Sequence, residues 1–222
     1  GREPAPPGRE GSGGYWLVTV AARPARLGDA WSALWDPQRA LWPRAVLGAG
    51  SLEEAARLQR EALAASQEAA VAAASRWLGR PVPASLRFTV PPEVGGPSGG
   101  LAFALAAVDA LAPGDLTGGL RVAATGTVTP DGRVGPVEGL VQKAVAARRA
   151  GMDVLFVPGG TGGQGGAVGI APGPGGRPQV VAVTNLAQAV AWLCRHGGRG
   201  PACAGAGPAA SRSGTSGVGA GR

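Results

Sequence analysis

The spacing of apolar residues changes several times along the chain, and each change marks the border of a predicted element. Alternating apolar and polar positions are typical of strands, whereas apolar positions three or four residues apart are typical of helices. The predicted strands are 15–20, 86–90, 120–129, 133–137, 153–157 and 179–184. The predicted helices are 51–78, 101–112, 138–150 and 185–195. Strands interleaved with helices predict an α/β or α+β fold.

The helix predicted at 101–112 is apolar on nearly every side. A helix without a polar face must be surrounded by protein, so we expect it to run through the middle of the domain. The helix at 51–78 has a different character, because Ser51-Leu-Glu-Glu54 has the form of a capping box and the body is rich in Ala, Glu and Gln. We expect it to belong to a helical support.

Glycine and proline divide the chain into segments. The 222 residues include 40 Gly and 20 Pro, concentrated near the two ends and in 159–177. Segments of that composition bury too little apolar surface to fold. The predicted segments are a disordered tail at 1–14, a strand and helical N-terminal support at 15–79, a main domain at 80–197 and a second disordered tail at 198–222. The support contains Trp31, Trp35 and Trp42, which we interpret as core or docking residues.

The chain is basic, with 21 Lys and Arg against 14 Asp and Glu and a formal net charge of +7. Clustered cations would favour nucleic-acid binding, but these are spread along the sequence. The tight pair outside the tail, Arg148 and Arg149, suits the exposed end of a helix. We therefore expect no nucleic-acid partner.

No apolar run approaches the roughly 18 residues that cross a bilayer. Membrane association would then need an anchor that precedes Gly1. The two cysteines, Cys194 and Cys203, make neither a disulfide framework nor a metal site, and Cys203 falls in the predicted tail. We interpret both as incidental.

Several familiar sites are excluded by residue type. The spacing Gly160-x-Gly162-x-x-Gly165 matches a dinucleotide fingerprint, but the proline- and glycine-rich sequence after it cannot form the helix that this site needs. No Gly-Lys-Ser/Thr is present, so the chain carries no P-loop ATPase. The single histidine, His196, lies beside the predicted tail, which excludes a Ser-His-Asp triad. No metal or organic cofactor is expected.

Ser98 lies between glycines at the start of the apolar helix. The simpler interpretation is an N-cap, in which the hydroxyl accepts a backbone N–H bond. The functional interpretation is a nucleophile, since the backbone amides of Ser98 and Gly99 at a helix N-terminus suit a developing oxyanion. Neighbouring glycines would let a substrate backbone approach closely.

Lys143 is the one lysine among the 21 basic residues. Leu140, Ala144, Ala147 and Ala150 lie on roughly the same side of its predicted helix, and Glu138 is expected to face elsewhere. Burial among small apolar side chains would lower the lysine pKa and supply a neutral amine, which arginine cannot do. The alternative is that one lysine survived by chance in an arginine-biased sequence.

Five spaced motifs match a known family in the same order. The segments are 95–105, 111–119, 124–127, 131–137 and 142–151. Together they closely resemble the proteolytic domain of Lon proteases, and most of all the bacterial Lon-like peptidases that lack an ATPase and usually carry a PDZ domain. The resemblance covers 86–196, while 15–79 resembles the segment before the PDZ domain.

The resemblance implies a serine endopeptidase with a Ser-Lys dyad, Ser98 and Lys143, oriented by Thr125. It implies peptide or unfolded-protein substrates, a homo-oligomeric ring that would be a hexamer, and a membrane-associated or extracytoplasmic location, with the cytoplasm as the alternative. Two departures stand out: Gly95 replaces the acidic residue of ATP-dependent members, and no PDZ domain separates Gly79 from Leu86. A catalytically inactive binding module and a fragment that processes only its own chain are the competing hypotheses.

Overall fold

The computed structural model describes residues 13–19, 51–83, 85–160 and 174–204. The strands are β1 Gly14–Leu17, β2 Arg121–Ala124, β3 Thr127–Val128, β4 Val134–Gly135, β5 Val154–Pro158 and β6 Gln179–Val183. The helices are α1 Leu52–Leu78, α2 Gly100–Leu111, α3 Leu140–Arg149, α4 Leu186–Arg195 and α5 Pro201–Ala204. Two parts of the chain discussed above lie outside the described residues, namely the segment with Trp31, Trp35 and Trp42 and the loop segment 161–173.

The central sheet has four parallel strands in the order β1-β2-β5-β6. In its middle, Val154, Leu155, Phe156 and Val157 of β5 are all fully buried. A strand buried on both faces reads as a continuous apolar run, which is why 153–157 lacks alternation in the sequence. The mixed α/β fold predicted from the element pattern is confirmed.

Helices cover both faces of this sheet. Residues Val122, Val154 and Phe156 pack into one core with α1, α2 and α4. The intervening positions of the same strands, Ala123 and Leu155, pack into a second core with α3. Because successive strand residues point to opposite faces, α2 and α3 lie on opposite sides of the sheet.

Helix α2 is the buried central helix that its composition predicts. Eight of its residues, from Gly100 to Val108, are buried. Helix α1 begins where the capping box predicts, with Ser51 Oγ accepting the Glu54 backbone N–H at 3.1 Å. Within the described ranges, no helix is both long enough and apolar enough to span a bilayer.

The strand predicted at 86–90 is wrong, because no strand is assigned there. The alternation of burial is nevertheless real, since Leu86, Phe88 and Val90 are half-buried against the core while Arg87 and Thr89 are exposed. Phe88 packs on Phe103 of α2 with ring centroids 4.8 Å apart. Side-chain alternation reports burial, whereas a strand also needs a backbone partner.

The N-terminal strand belongs to the main domain and is not part of a separate support. Strand β1 pairs in parallel with β2 along its whole length, from Gly14 opposite Arg121 to Leu17 opposite Ala124. The first described residues, 13 and 14, are already ordered against the sheet edge, because the Gly14 amide donates to the Leu120 carbonyl. The division at residue 79 therefore cuts through one folded unit.

The C-terminal boundary also lies further along than predicted. Cys194 and Cys203 form a disulfide with Cα atoms 5.4 Å apart, so the interpretation of both as incidental is wrong. Arg199 pairs with Asp115 through two backbone hydrogen bonds, and Ala202 is buried. Residues 198–204 are thus folded, in contrast to the predicted onset of disorder at 198. The high glycine content hid this docking, which depends on contacts distant in sequence.

Candidate active site

Ser98 lies in a short 3-10 turn, Pro97–Gly99, that leads directly into α2. Ser98 is half-buried. The N-cap residue of the turn is Gly96 and that of α2 is Gly99, and neither end has a side-chain capping hydrogen bond. The interpretation of Ser98 as an N-cap is therefore wrong. Among the described residues, the start of α2 therefore has no capping hydrogen bond from the Ser98 hydroxyl.

The glycines around Ser98 are explained by packing. A Cβ on Gly99 would lie 2.7 Å from Leu17 Cδ2, and one on Gly100 would lie 2.8 Å from the Val128 backbone nitrogen. Gly96 has φ +87°, a conformation that side chains disfavour. Close contacts within the protein, and not only the approach of a substrate, thus require glycine at these positions.

The end of β2 holds one side of the Ser98 turn. The Ser98 carbonyl accepts the Gly126 amide at 2.8 Å and the Thr125 hydroxyl at 3.3 Å. In return, the Leu101 amide of α2 donates to the Gly126 carbonyl at 3.0 Å. Gly126 has φ +155°, so the chain leaves the strand here in a glycine conformation and brings Thr125 beside the turn.

Lys143 is buried on the inner face of α3, with 3% of its surface exposed. Leu140, Ala144 and Ala147 are buried on the same face, as predicted. Ala150, the C-cap residue of the helix, is exposed, so it does not contribute to the burial of Lys143 as predicted. The apolar surroundings come from the core between α3 and the sheet.

The Lys143 amine is hydrogen-bonded to Thr125. Its Nζ donates to Thr125 Oγ1 at 3.2 Å, and Thr125 is fully buried. Burial lowers the pKa of Lys143 to about 8, although the negative charge of the exposed Glu138 acts in the opposite direction. Desolvation dominates because removing water penalises the ammonium form. A substantial neutral fraction of the amine therefore exists near physiological pH.

The Thr125 hydroxyl bridges the amine and the serine turn. It accepts a hydrogen bond from Lys143 Nζ and donates one to the Ser98 carbonyl. These bonds connect the turn that carries Ser98, the end of β2 and helix α3. Between these described residues, no direct hydrogen bond joins Ser98 Oγ to Lys143 Nζ. Catalytic hydrogen bonds are often long in the absence of substrate and shorten in the reacting complex.

The amides predicted to bind an oxyanion, those of Ser98 and Gly99, lie in the same turn. The next amide, that of Gly100, is engaged by the Pro97 carbonyl. Within the described ranges, no group of three His, Cys, Asp or Glu side chains is placed to hold a metal ion. The glycine pattern at 160–165, which matches a dinucleotide fingerprint only in spacing, lies mostly outside the described residues.

The sequence interpretation overlooked the contribution of α1. Ser66 Oγ donates to the Pro97 carbonyl at 2.9 Å, and the Gly96 amide donates to the Gln59 carbonyl at 2.8 Å. A signal for Ser66 was present, because it interrupts the apolar stripe of Leu63 and Ala70 at helical spacing. For Gln59 there was none, since its backbone makes the contact.

The structure thus links a serine in the turn before the central helix to a buried lysine of lowered pKa through Thr125, and these are residue types that nucleophilic catalysis can use. The comparison with protein families makes the assignment specific. Residues 88–162 match the model of the Lon protease (S16) C-terminal proteolytic domain, so this part of the chain is a Lon-type serine-protease domain, and the predicted resemblance to the Lon proteolytic domain is confirmed there. No curated protein is significantly similar to the chain in sequence.

Proposed function

We propose that this chain is a serine endopeptidase in which Lys143 is the general base for Ser98, with no requirement for ATP. The observation that carries the proposal is the hydrogen bond from the buried Lys143 amine to Thr125 Oγ1, which in turn contacts the Ser98 backbone. A lysine amine acts as a base only when it is neutral. Because the pKa of Lys143 is about 8, part of the amine is neutral near pH 7 to 8.

In the proposed reaction, the neutral Lys143 amine takes the proton from Ser98 Oγ as that oxygen attacks the peptide carbonyl. The carbonyl π pair moves onto its oxygen, and the amides of Ser98 and Gly99 stabilise the resulting charge. When this intermediate collapses, the C–N bond breaks and the ammonium of Lys143 gives its proton to the leaving amine. The product is an acyl-enzyme on Ser98.

Hydrolysis of the acyl-enzyme repeats the same proton transfers with water as nucleophile. Lys143 takes a proton from the water, and later returns it to Ser98 Oγ as the acid product leaves. Thr125 keeps the amine pointed toward the serine turn throughout. No step requires a group other than these side chains, the turn amides and water.

The proposed substrates are extended or unfolded polypeptides, and the proposed assembly is a homo-oligomeric ring, a hexamer by resemblance. Both depend on likeness to Lon-type peptidases. No nucleic-acid partner is part of the proposal, and an extracytoplasmic or membrane-associated location is proposed on the same basis.

The test is intact-mass analysis after reaction with a fluorophosphonate probe, combined with cleavage of a fluorogenic peptide library. We expect the wild-type chain to gain the mass of one probe and Ser98→Ala to gain none. Lys143→Arg keeps the charge and removes the base, so it should lose labelling and cleavage as fully as Lys143→Ala. Cleavage that persists in Lys143→Arg, or labelling of Ser98→Ala, would overturn the mechanism.

A further inference from the structure

Helix α1 contacts the Ser98 turn through two hydrogen bonds, although it lies outside the family match at 88–162. Ser66 Oγ donates to the Pro97 carbonyl at 2.9 Å, and the Gln59 carbonyl accepts the Gly96 amide at 2.8 Å. These bonds fasten the two residues that immediately precede the nucleophile.

Ser66 is placed where an apolar side chain would be expected. It is 6% exposed, and Leu63, Ala70 and Ala73 on the same face of α1 are buried in the core. A buried hydroxyl is stable only with a hydrogen-bond partner, and the partner of Ser66 is the carbonyl of Pro97. The polar group therefore acts on the turn.

The fit between α1 and the turn is close. A Cβ on Gly95 would lie 2.8 Å from Gln59 Cβ, and one on Gly100 would lie 3.1 Å from Ser66 Oγ. Glycines before and after Ser98 thus allow α1 to approach. Movement of α1 would displace the turn, because little free space separates them.

Successive carbonyls of the turn are held from different elements. The Pro97 carbonyl accepts hydrogen bonds from Ser66 of α1 and from the Gly100 amide of α2. The Ser98 carbonyl accepts hydrogen bonds from Gly126 and Thr125, which follow β2. Because the Pro97 carbonyl and the Ser98 amide share one planar peptide unit, a fixed Pro97 carbonyl fixes the plane of that unit, and the bound Ser98 carbonyl fixes the plane of the next. These planes set the directions of the Ser98 amide and side chain.

We propose that Ser66 is a positioning residue of the peptidase site, which fixes the Pro97–Ser98 peptide so that Ser98 Oγ meets the Lys143 amine in the reacting complex. This inference rests on the proposed function. It assigns the 51–78 helix to the catalytic unit.

The experiment compares Ser66→Ala with Ser75→Ala. Ser75 is a matched control, since it lies on the same helix and its Oγ also donates to a backbone carbonyl, that of Arg80, at 2.9 Å. Active sites are counted with the fluorophosphonate probe, so that kcat refers to competent protein. We expect Ser66→Ala to lower kcat about fivefold, the value of one lost hydrogen bond, with KM and the apparent pKa of the activity profile unchanged.

Ser75→Ala should stay within about twofold of wild type, since its bond is remote from the turn. A purely structural role of Ser66 would reduce the number of active sites and leave kcat per site intact. Equal kcat values for the two variants, or a loss confined to the active-site count, would overturn the proposal.

If Ser66→Ala does not fold, Ser66→Thr and Ser66→Val provide the comparison. The two side chains have nearly the same shape, but Thr has a hydroxyl where Val has a methyl group. Both variants add similar bulk, so Ser66→Thr should keep a higher kcat than Ser66→Val; equal kcat values would refute the proposal. Hydrogen exchange on the wild-type chain adds a readout free of substitutions, in which rapid exchange of the Gly96 amide would also refute it. A wild-type chain never labelled at Ser98 would overturn the proposed function itself, even where the Gly96 amide is protected.

Discussion

The pH dependence of Ser98 acylation follows directly from the burial of Lys143. With a pKa of about 8, the amine is about one-tenth neutral at pH 7, half neutral at pH 8 and about nine-tenths neutral at pH 9. The rate of labelling by the fluorophosphonate probe should therefore rise about tenfold from pH 6 to 7 and level off above pH 9.

Glu138 offers a perturbation of this profile at a distance from the reacting atoms. Its exposed carboxylate raises the Lys143 pKa against the effect of burial. Glu138→Gln should therefore move the profile to lower pH and increase the labelling rate at pH 7, while the plateau at high pH is unchanged. A matched control is Glu93→Gln, which removes one exposed carboxylate for which no effect on Lys143 is found.

The assay is second-order probe labelling followed by intact mass over pH 6 to 10, with the probe's own hydrolysis subtracted. A midpoint near the ordinary lysine value of 10.5, or a profile without a midpoint, would refute the reasoning. A shift of the same size in Glu93→Gln would show that general surface charge, and not Glu138, is responsible.

Three further predictions concern stability and geometry. Between the folded pKa of about 8 and the unfolded value of 10.5 the unfolded chain binds more protons, so wild-type stability should rise with pH across that window. Lys143→Met should accordingly add about 3 kcal/mol to the free energy of urea unfolding at pH 7 and much less at pH 11. Thr125→Val should lower kcat at least about tenfold and Thr125→Ser should retain most of it, as measured by peptide cleavage. Cys203→Ser should cost about 2 to 3 kcal/mol of unfolding free energy, matched by Cys194→Ser, because their disulfide closes a short loop; equal stability before and after reduction would contradict this.

Local patterns predicted the elements that surround the site. Helix α2 was recognisable because nearly every side of it is apolar. The buried face of α3 was recognisable because Leu140, Ala144 and Ala147 share the side of Lys143. Lys143 was a candidate base partly because it is the one lysine in the sequence. These inferences succeeded because each depends on residues within a few turns of one another.

Apart from the Cys194–Cys203 disulfide, which joins residues nine apart, the main features that sequence reasoning missed depend on distant contacts. Strand β1 joins the sheet by pairing with β2, about a hundred residues away, and parallel pairing leaves no hairpin signal. The bond from Ser66 to Pro97 links positions 31 residues apart. The strand predicted at 86–90 failed for the converse reason, since local alternation was present without a partner for its backbone.

The central claim is that one buried amine is neutral near pH 8 and serves Ser98, and the single lysine allows a direct measurement. Selective labelling with 13Cε-lysine gives one Cε resonance from Lys143, whose disappearance in Lys143→Arg confirms the assignment. Its chemical shift followed from pH 6 to 12 should titrate with a midpoint near 8 and match the midpoint of Ser98 labelling. A midpoint near 10.5, or one that differs from the labelling profile, would contradict the account.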